Sequence, residues 1–470
     1  MIKKDRIALI CEDHTLTYGQ LEKEILALSK LLLRRKLAFI MMRNNMESVI
    51  SYVTCLYKKV VPLLIHNNIS NIVFADLLER YRPYYIIIPQ DYKRDILNYH
   101  ILVKLREYYI LEVDKDYCVD YTMPSELALL LSTSGSTGSP KCVKITYKNL
   151  KSNTLSIINS LKILEIDRVI TTLPMDYTFG LSIINTHLYQ GASILLTDIP
   201  IIYNKFWDLL YRYKCTTFSG VPYTYDTLIK LNLLSKLTGL RYITQAGGKL
   251  SKKSIAIINE VCKKNNIEFI IMYGQTEATA RMSYLPYCEL EKRIGSIGIA
   301  IPGGKFQLVD KIGNIISTPK TVGELVYFGE NVSMGYACNY EDLKKGDERQ
   351  GLLRTGDLAE RDNDDFYYIV GRKRRMIKLY GSRINLDEFE TYLIDKGYNC
   401  ICVGVDDKLF ITFTEEINLK NIKEILIKKG IKINAVNFVK LESYPMNFSQ
   451  KIDYKQLLNM CIEITNTNKI

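Results

Sequence analysis

Short apolar runs alternate with amphipathic stretches across most of the first 300 residues, and this pattern constrains the fold most. Residues 37–42 (LAFIMM), 60–65 (VVPLLI) and 84–88 (YYIII) have the length and composition of buried strands. Between them, residues 46–58 and 70–81 show helical spacing. The alternation recurs further on, with strands expected near residues 168–173, 192–197, 215–218, 241–245 and 267–272. Strand–helix–strand units build sheets with helices on both faces. We therefore predict two sheet subdomains.

The sequence texture changes near residue 294, where frequent glycines punctuate short strands, as is typical of a small β-rich unit. After Gly371, about 100 residues contain short strands at 401–405 and 409–413 and a Lys-rich helix near 419–429. The predicted class is α/β, with a large N-terminal domain of two helix-covered mixed sheets plus a β-barrel-like unit. A small α+β domain follows. The 470 residues suit several folding units of roughly 150 residues each.

Composition excludes several classes of protein. The net charge of +12 fits a Lys-rich composition, and the densest basic run, residues 372–375, is too short for a nucleic-acid-binding arm. Eleven cysteines without a CxxC pair and four scattered histidines argue against a disulfide framework or a zinc site and favour a reducing compartment. No apolar run approaches 18 residues, and the N-terminus lacks a signal-peptide pattern. We expect a cytoplasmic protein with no membrane span and no nucleic-acid partner.

The loop of residues 132–141, STSGSTGSPK, is the strongest local signal. It follows the apolar strand 127–131. Its glycines allow close backbone approach, its hydroxyl and N–H groups can hold phosphate oxygens, and its lysine adds positive charge. A P-loop would need Gly-Lys-Ser/Thr, but Pro140 precedes Lys141 and Cys142 follows it, so that motif fails. A Ser/Gly-rich surface loop is the plain alternative.

Two further segments carry polar groups suited to a nucleotide. Residues 273–277, YGQTE, follow the apolar strand 269–272, and this places a hydroxyl and a carboxylate where phosphate and Mg²⁺ bind in open α/β sheets. Asp357, in the turn RTGD, can accept hydrogen bonds from ribose hydroxyls. Alone, each pattern also fits an ordinary turn.

Taken in order, the motifs resemble the adenylate-forming superfamily, which includes acyl-CoA synthetases, adenylation domains of nonribosomal peptide synthetases, and luciferases. The resemblance covers almost the whole chain. Its motifs are LTYGQL at 16–21, the loop 132–141, AGGK at 246–249, YGQTE at 273–277, GEL at 323–325 with GY at 335–336, RTGD at 354–357, the segment 371–381, and NFSQKID at 447–453.

The resemblance implies an ATP-dependent ligase with Mg²⁺ that converts a small-molecule carboxylic acid to an acyl-adenylate and pyrophosphate. The acyl group then passes to a phosphopantetheine thiol, on coenzyme A or on a separate acyl or peptidyl carrier protein. An amino-acid-activating enzyme serving a carrier protein and a non-catalytic nucleotide-binding relative are the alternatives. Residues 1–373 would form the AMP-binding domain, and residues 374–470 a mobile domain that carries the catalytic lysine.

The same resemblance assigns roles to individual residues. Lys451 would bridge the substrate carboxylate and the α-phosphate, Thr276 would contact the α-phosphate, and Glu277 would bind Mg²⁺. The implied nucleotide-binding residues are Thr133, Ser134, Gly135, Ser136, Thr137, Gly138, Lys141, Ala246, Gly247, Gly248, Tyr273, Gly274, Gln275, Asp357 and Arg372. The implied hinge is Arg374, and Lys378 and Gly381 would face the site during thiol transfer.

The acyl pocket implied by the resemblance is formed by Asp176, Tyr177, Phe179, Gly220, Ala280 and Arg281. Asp176 either binds an α-ammonium group, as in amino-acid-activating relatives, or occupies the place where acyl- and aryl-CoA ligases often have histidine. Arg281 either meets a second carboxylate of the substrate or is an exposed arginine at the pocket mouth.

Overall fold

The computed structural model describes residues 2–12, 14–92, 96–132, 141–373, 375–379, 382–428, 431–447 and 451–467. The predicted phosphate-loop residues Thr133 to Gly138 lie outside the described residues. The predicted hinge residue Arg374 and Gly381, which is predicted to face the site during thiol transfer, also lie outside the described residues.

The helices of the described chain, numbered α1 to α11 in order, are Tyr18–Ser29, Met46–Lys58, Asn71–Tyr81, Tyr147–Leu161, Thr178–Gln190, Asn204–Arg212, Pro222–Lys230, Lys252–Lys264, Leu386–Asp395, Leu419–Lys428 and Tyr454–Thr467. The strands, β1 to β26, are Ile7–Cys11, His14–Thr17, Leu37–Met42, Val61–His66, Tyr85–Pro89, Tyr99–Leu105, Tyr108–Val113, Leu127–Ser132, Cys142–Thr146, Arg168–Ile170, Ser193–Leu196, Thr217–Gly220, Tyr242–Gln245, Glu268–Tyr273, Ser283–Leu285, Ile299–Ala300, Gly304–Val309, Gly323–Gly329, Gly335–Ala337, Leu352–Arg361, Tyr367–Arg372, Met376–Leu379, Ser382–Asn385, Ile401–Val405, Lys408–Phe413 and Val436–Lys440.

Two mixed sheets form the framework of the N-terminal part. The larger has nine strands in the order β16-β15-β14-β13-β12-β10-β11-β1-β2, and the other has eight in the order β19-β9-β8-β4-β3-β5-β7-β6. Parallel pairs fill the middle of each sheet, and antiparallel pairs lie toward the edges. The prediction of two helix-covered mixed sheets is therefore confirmed.

A continuous apolar core lies between the two sheets. It takes Ile40 and Val143 from the eight-stranded sheet, Ile194 and Ile270 from the nine-stranded sheet, and Ile184 from α5. Further residues of this core come from α1, α2 and α4. The core fixes α5 against the nine-stranded sheet, and α5 begins directly beside the candidate site described below.

The β-rich stretch after residue 294 divides among three sheets. β16 extends the nine-stranded sheet, β19 extends the eight-stranded sheet, and β17, β18, β20 and β21 form a four-stranded sheet. The sequence pattern predicts that these strands form one small β-rich unit. Glycine spacing predicts short strands, but it does not indicate which sheet each strand joins.

The chain forms two compact units, residues 1–306 with 327–353 and residues 307–326 with 354–470. In the second unit, β24, β25 and β26 form a sheet with apolar cores on both faces. Helices α9 and α10 contribute to one core and α11 to the other. The predicted domain boundary after residue 373 stays a prediction. Across the described ranges, no helix is long and apolar enough to cross a bilayer.

Candidate active site

Three neighbouring parallel strands of the nine-stranded sheet end at the same edge. β12, β13 and β14 run parallel, with Gly220 paired to Gln245 and Gln245 paired to Ile271. The carboxyl ends of parallel strands are where open α/β sheets bind ligands. The amide of Ala246 donates to the carbonyl of Gly220 at 3.2 Å, so a predicted nucleotide residue and a predicted acyl-pocket residue are adjacent.

The turn after β13 combines a left-handed glycine with a hydrogen bond from a side chain of the strand. Gly247 has φ of +86°, in the left-handed region that favours glycine. The side-chain amide of Gln245 donates to the carbonyl of Gly248 at 2.9 Å, which closes the turn. A Cβ at Gly248 would lie 3.1 Å from Cγ of Pro222, so the absence of a side chain lets α7 pack close to this turn.

The turn after β14 is tighter and strained. A Cβ at Gly274 would lie 1.7 Å from the carbonyl oxygen of Ala280, so only glycine fits there. Thr279 and Ala280 have φ of +56° and +109°, and the second value is far from the usual range for alanine. Such outliers cost on the order of 1–3 kcal/mol and concentrate at functional sites. Tyr273 and Gln275 lie in the same turn, 3.4 Å apart between Oη and Nε2.

Thr276 connects this turn to helix α5. Its hydroxyl accepts a hydrogen bond at 2.8 Å from the hydroxyl of Thr178, the first residue of α5. Thr178 lies between Tyr177 and Phe179, two predicted acyl-pocket residues. The contact therefore joins the segment predicted to bind the acyl group to the residue predicted to bind the α-phosphate.

Glu277 takes part in a charged cluster with Tyr336, Lys141 and Arg349. The phenol of Tyr336 donates to Oε1 of Glu277 at 2.6 Å. Nζ of Lys141 lies 3.8 Å from the centroid of the Tyr336 ring, and the guanidinium of Arg349 lies 4.6 Å from it. Burial, helped by the charge of Glu277, raises the pKa of Tyr336 to about 12, so the phenol keeps the proton that it donates.

The predicted acyl-pocket residues Tyr177, Phe179 and Arg281 lie together. The rings of Tyr177 and Phe179 meet edge to face at 6.3 Å, and the Arg281 guanidinium lies 4.6 Å from the Phe179 ring centroid. Arg281 is only 2% exposed. The alternative of an exposed arginine is therefore wrong, because Met272 of β14 and Phe179 of α5 pack against the guanidinium.

Asp176 precedes this group and has an enclosed carboxylate oxygen. The residue is half-buried, and its Oδ1 atom has no hydrogen-bond partner among the described residues. Burial raises the pKa of Asp176 to about 7, and the nearby carboxyl of Asp198 adds to the shift.

The predicted residues of the second unit lie in short hairpins. Asp357 of β20 is buried and accepts a hydrogen bond at 2.9 Å from Nε of Arg372, directly opposite it on β21. The amide of Lys451 donates to Oδ1 of Asn447 at 3.0 Å, and the amide of Asn447 donates to the carbonyl of Lys451 at 2.8 Å. Lys378 is exposed on β22, where its amide donates to Asp406.

With this geometry established, comparison with known proteins identifies the family. The model of the AMP-binding enzyme family matches residues 2–337. The chain belongs to the AMP-binding enzymes. The prediction of the superfamily and of an enzyme is thereby confirmed.

Named relatives of this AMP-binding enzyme include CoA ligases. An oxalate–CoA ligase of Saccharomyces cerevisiae is 27% identical over 68% of the chain, but the match covers 58% of that relative, so the chain spans little more than half its length. A 2-succinylbenzoate–CoA ligase of Bacillus mycoides is 24% identical over 98% of the chain and 97% of its own length. The o-succinylbenzoate CoA synthetase of Bacillus subtilis, solved with its acyl-adenylate intermediate, shares the fold at a TM-score of 0.76 and 20% identity, covering 96% of this chain and 95% of that one.

Sequence motifs missed two of the contacts that organise the site of this AMP-binding enzyme. Thr178 was skipped between two chosen residues, because its hydroxyl bonds to Thr276, which is distant in sequence, and not to the start of its own helix. Tyr336 was noted within a motif but given no role, because its partners Lys141 and Glu277 are distant in sequence. No sequence motif around Arg349 indicated a role in the site.

A magnesium ion fits the donors at Glu277. Oε2 of this half-buried carboxylate receives no hydrogen bond from the described residues, whereas Oε1 is held by Tyr336. The described ranges contain no cluster of three or more His, Cys, Asp or Glu side chains suited to a metal. Mg²⁺ commonly takes one or two carboxylates and completes its shell with water and substrate phosphates, so a single glutamate is consistent with it.

Proposed function

We propose that this AMP-binding enzyme joins a carboxylic acid to a thiol at the expense of ATP. The substrate carboxylate attacks the α-phosphorus of ATP, pyrophosphate leaves, and an acyl-adenylate forms. The thiol of coenzyme A or of a separate carrier protein then attacks the acyl carbon, and AMP leaves with the electrons of the broken C–O bond. One observation carries the proposal: the Thr178–Thr276 hydrogen bond brings the predicted acyl and phosphate subsites into direct contact.

The first step requires two anions to approach each other, so its transition state needs positive charge and fixed donors. Thr276 supplies a hydroxyl whose position is set by Thr178. Glu277 is the proposed magnesium ligand, and Tyr336 orients its carboxylate. When bound, Mg²⁺ supplies Lewis-acid stabilisation of phosphate charge. ATP and Mg²⁺ are named together in a solved complex of the Bacillus subtilis synthetase, which is 22% identical to this chain.

The remaining residues have roles carried by the family motifs. Ala246 to Gly248 form the proposed adenine-binding turn, and Asp357 with Arg372 the proposed ribose-binding pair. Lys451 is the proposed bridge between the substrate carboxylate and the α-phosphate. We keep Arg374 as the proposed hinge, and Lys378 with Gly381 as residues of the second step.

Pyrophosphate exchange dependent on an added acid tests the proposal. A panel of fatty, aromatic and amino acids is offered to the purified chain with ATP and Mg²⁺, followed by coenzyme A or a carrier protein. We expect at least one acid to support exchange and AMP to be the nucleotide product. ADP as the product, or no exchange with any acid, would contradict the proposed function and favour a kinase or a nucleotide-binding relative.

Replacing Lys451 tests its assigned role. We expect Lys451→Ala to lower exchange by about 10²–10³-fold, the range for removing one preorganised electrostatic contact. Thioester formation from a preformed adenylate should fall less, because the lysine is assigned to the first step. Lys455→Ala, an exposed lysine on α11, is the matched control and should keep normal activity. Near-normal exchange by Lys451→Ala would remove the assignment.

Amino-acid activation is the second candidate, because Oδ1 of Asp176 is enclosed and forms no hydrogen bond with the residues that the structure describes. A bound α-ammonium group would give this carboxylate a counter-charge. Amino acids as the preferred acids of the panel, with the preference lost in Asp176→Asn, would favour this candidate.

A further inference from the structure

Arg281 is a buried charged side chain that forms no ion pair with any described residue. It is 2% exposed and lies between β14 and α5. Its guanidinium faces the ring of Phe179, and its Nη1 atom contacts Sδ of Met272 at 2.9 Å, a weak acceptor. Its Nε atom has no hydrogen-bond partner among the described residues.

No carboxylate of the described residues lies within ion-pair distance of Arg281. Burial lowers the pKa of Arg281 to about 10, and the nearby phenols Tyr242 and Tyr177 only partly oppose that shift. The guanidinium therefore remains charged at neutral pH. Enclosing an ionised group without a counter-charge is costly, so buried arginines are normally paired. An anion entering this place would recover part of that cost.

Two polar groups near Arg281 also lack partners in the described part of the chain. Neither the buried hydroxyl of Tyr242 nor the buried Nε2 of His187 receives or donates a hydrogen bond there, and both residues lie within electrostatic reach of Arg281. Nδ1–H of His187 donates to the carbonyl of Ile183 at 2.8 Å, and burial lowers the pKa of His187 to about 4, so the imidazole is neutral at pH 7. Unpaired polar atoms inside a protein call for a ligand, water or ion. Two of these three groups, the guanidinium and the phenol, can donate hydrogen bonds to an anion.

We propose that Arg281 binds a second anionic group of the acid, so that the substrate of this enzyme is a dicarboxylic acid. The inference rests on the proposed function and specifies its substrate class. One carboxylate would react at Thr276, and the other would meet the guanidinium, whose planar fork suits two parallel hydrogen bonds to a carboxylate. The contacts favour this over a phosphate of ATP: Arg281 touches Phe179 beside Tyr177, whereas the proposed metal ligand Glu277 belongs to the separate cluster around Tyr336.

Matched acids that differ in one carboxylate test the inference. Glutarate is compared with valerate, adipate with hexanoate, and phthalate with benzoate in the pyrophosphate-exchange assay. We expect kcat/KM of the wild-type enzyme to be at least about 100-fold higher for the preferred dicarboxylate than for its partner, because a site built around a buried charge rejects an analogue that leaves it unpaired. Arg281→Met should abolish this preference, Arg281→Lys should retain part of it, and the KM for ATP should not rise. Arg34→Met, an exposed arginine, is the control and should keep the preference.

The outcomes separate the two proposals. Absence of exchange with every acid overturns the proposed function. Exchange with monocarboxylates as good as with their dicarboxylate partners overturns the substrate class and leaves adenylation intact. A large rise in the KM for ATP in Arg281→Met would place Arg281 in the nucleotide site and overturn the inference. Should the variants fail to fold, thermal unfolding of the wild type decides: dicarboxylates must raise its midpoint more than their matched monocarboxylates, and equal shifts overturn the inference.

Discussion

Arg375 and Arg281 are both largely enclosed arginines, one in each compact unit, and their surroundings are opposite. The Arg375 side chain is 12% exposed and binds Asp387, Glu390 and the carbonyl of Cys402, with its guanidinium 3.9 Å from the ring centroid of Tyr454. Burial alone would lower the pKa of Arg375, but Glu390, Tyr454 and Asp387 outweigh burial and raise it. Around Arg281, burial prevails and the pKa falls to about 10.

The difference distinguishes a structural arginine, Arg375, from the arginine that we propose binds a ligand, Arg281. The carboxylates of Asp387 and Glu390 neutralise Arg375, and their helix, α9, is thereby fixed to the hairpin of β22 and β23. Arg281 gains no such partner from the described chain. Burial alone does not reveal the role of a charged residue, since the decisive observation is whether the protein itself supplies the opposite charge.

The largest expected effect is on stability. Arg375→Met should lower the free energy of unfolding by about 3–5 kcal/mol, because it leaves two largely buried carboxylates without their counter-charge. Arg281→Met, the matched replacement, should leave the free energy of unfolding within about 1 kcal/mol or increase it, because methionine fills the space without a desolvated charge. Denaturant unfolding followed by circular dichroism measures both variants. The sole tryptophan, Trp207, lies in the first unit, so its fluorescence follows that unit. Equal losses in the two variants would break the comparison.

A second effect concerns how pH acts on two enclosed titratable groups of the first unit, Asp176 and His187. Asp176 has a folded-state pKa of about 7 against an ordinary 3.8, so its ionisation removes stability as pH rises through that interval. His187 has a pKa of about 4 against 6.5, so its protonation removes stability as pH falls from about 6.5. As pH rises from about 5 to 8, the free energy of unfolding of Asp176→Asn should increase by about 2–3 kcal/mol relative to that of the wild type. This figure allows for the partial exposure of the carboxyl.

His187→Gln tests the opposite pH dependence. Its free energy of unfolding should increase relative to that of the wild type as pH falls toward about 5. Trp207 fluorescence in denaturant at each pH gives both curves. Parallel curves for Asp176→Asn and wild type would show that the Asp176 carboxyl is solvated like an ordinary surface group.

The smallest effect concerns Glu277, which has one oxygen held by Tyr336. Tyr336→Phe removes a hydrogen bond to a charged group, which is worth about 1.5–3 kcal/mol. Part of that loss should appear as a roughly tenfold higher Mg²⁺ concentration at the midpoint of the exchange activity. The KM for the acid should change little, because the acyl pocket is formed by other residues. Tyr287→Phe, at an exposed tyrosine, is the control. An unchanged Mg²⁺ midpoint in Tyr336→Phe would reduce Tyr336 to a packing residue.

Local sequence patterns anticipated the elements better than their arrangement. The strands at 37–42 and 401–405 and the helix at 46–58 were predicted to the residue, because apolar runs and helical spacing are local properties. The pairing of β1 with β11 was not anticipated, since nothing near residue 9 indicates a partner near residue 194. In the site, motifs predicted Thr276 and Glu277. The enclosure of Arg281 and the position of Tyr336 depend on tertiary contacts.

The placement of β1 also bears on how the chain is made. In the nine-stranded sheet, Leu9 pairs with Ile194, so β1 is synthesised about 185 residues before the strand with which it pairs. At roughly 5–20 residues per second, the ribosome takes about 10–40 seconds to supply it. A two-stranded hairpin is marginal on its own, so β1 and β2 gain their lasting stability only when β11 emerges. The sheet that forms the candidate site is therefore completed late in synthesis.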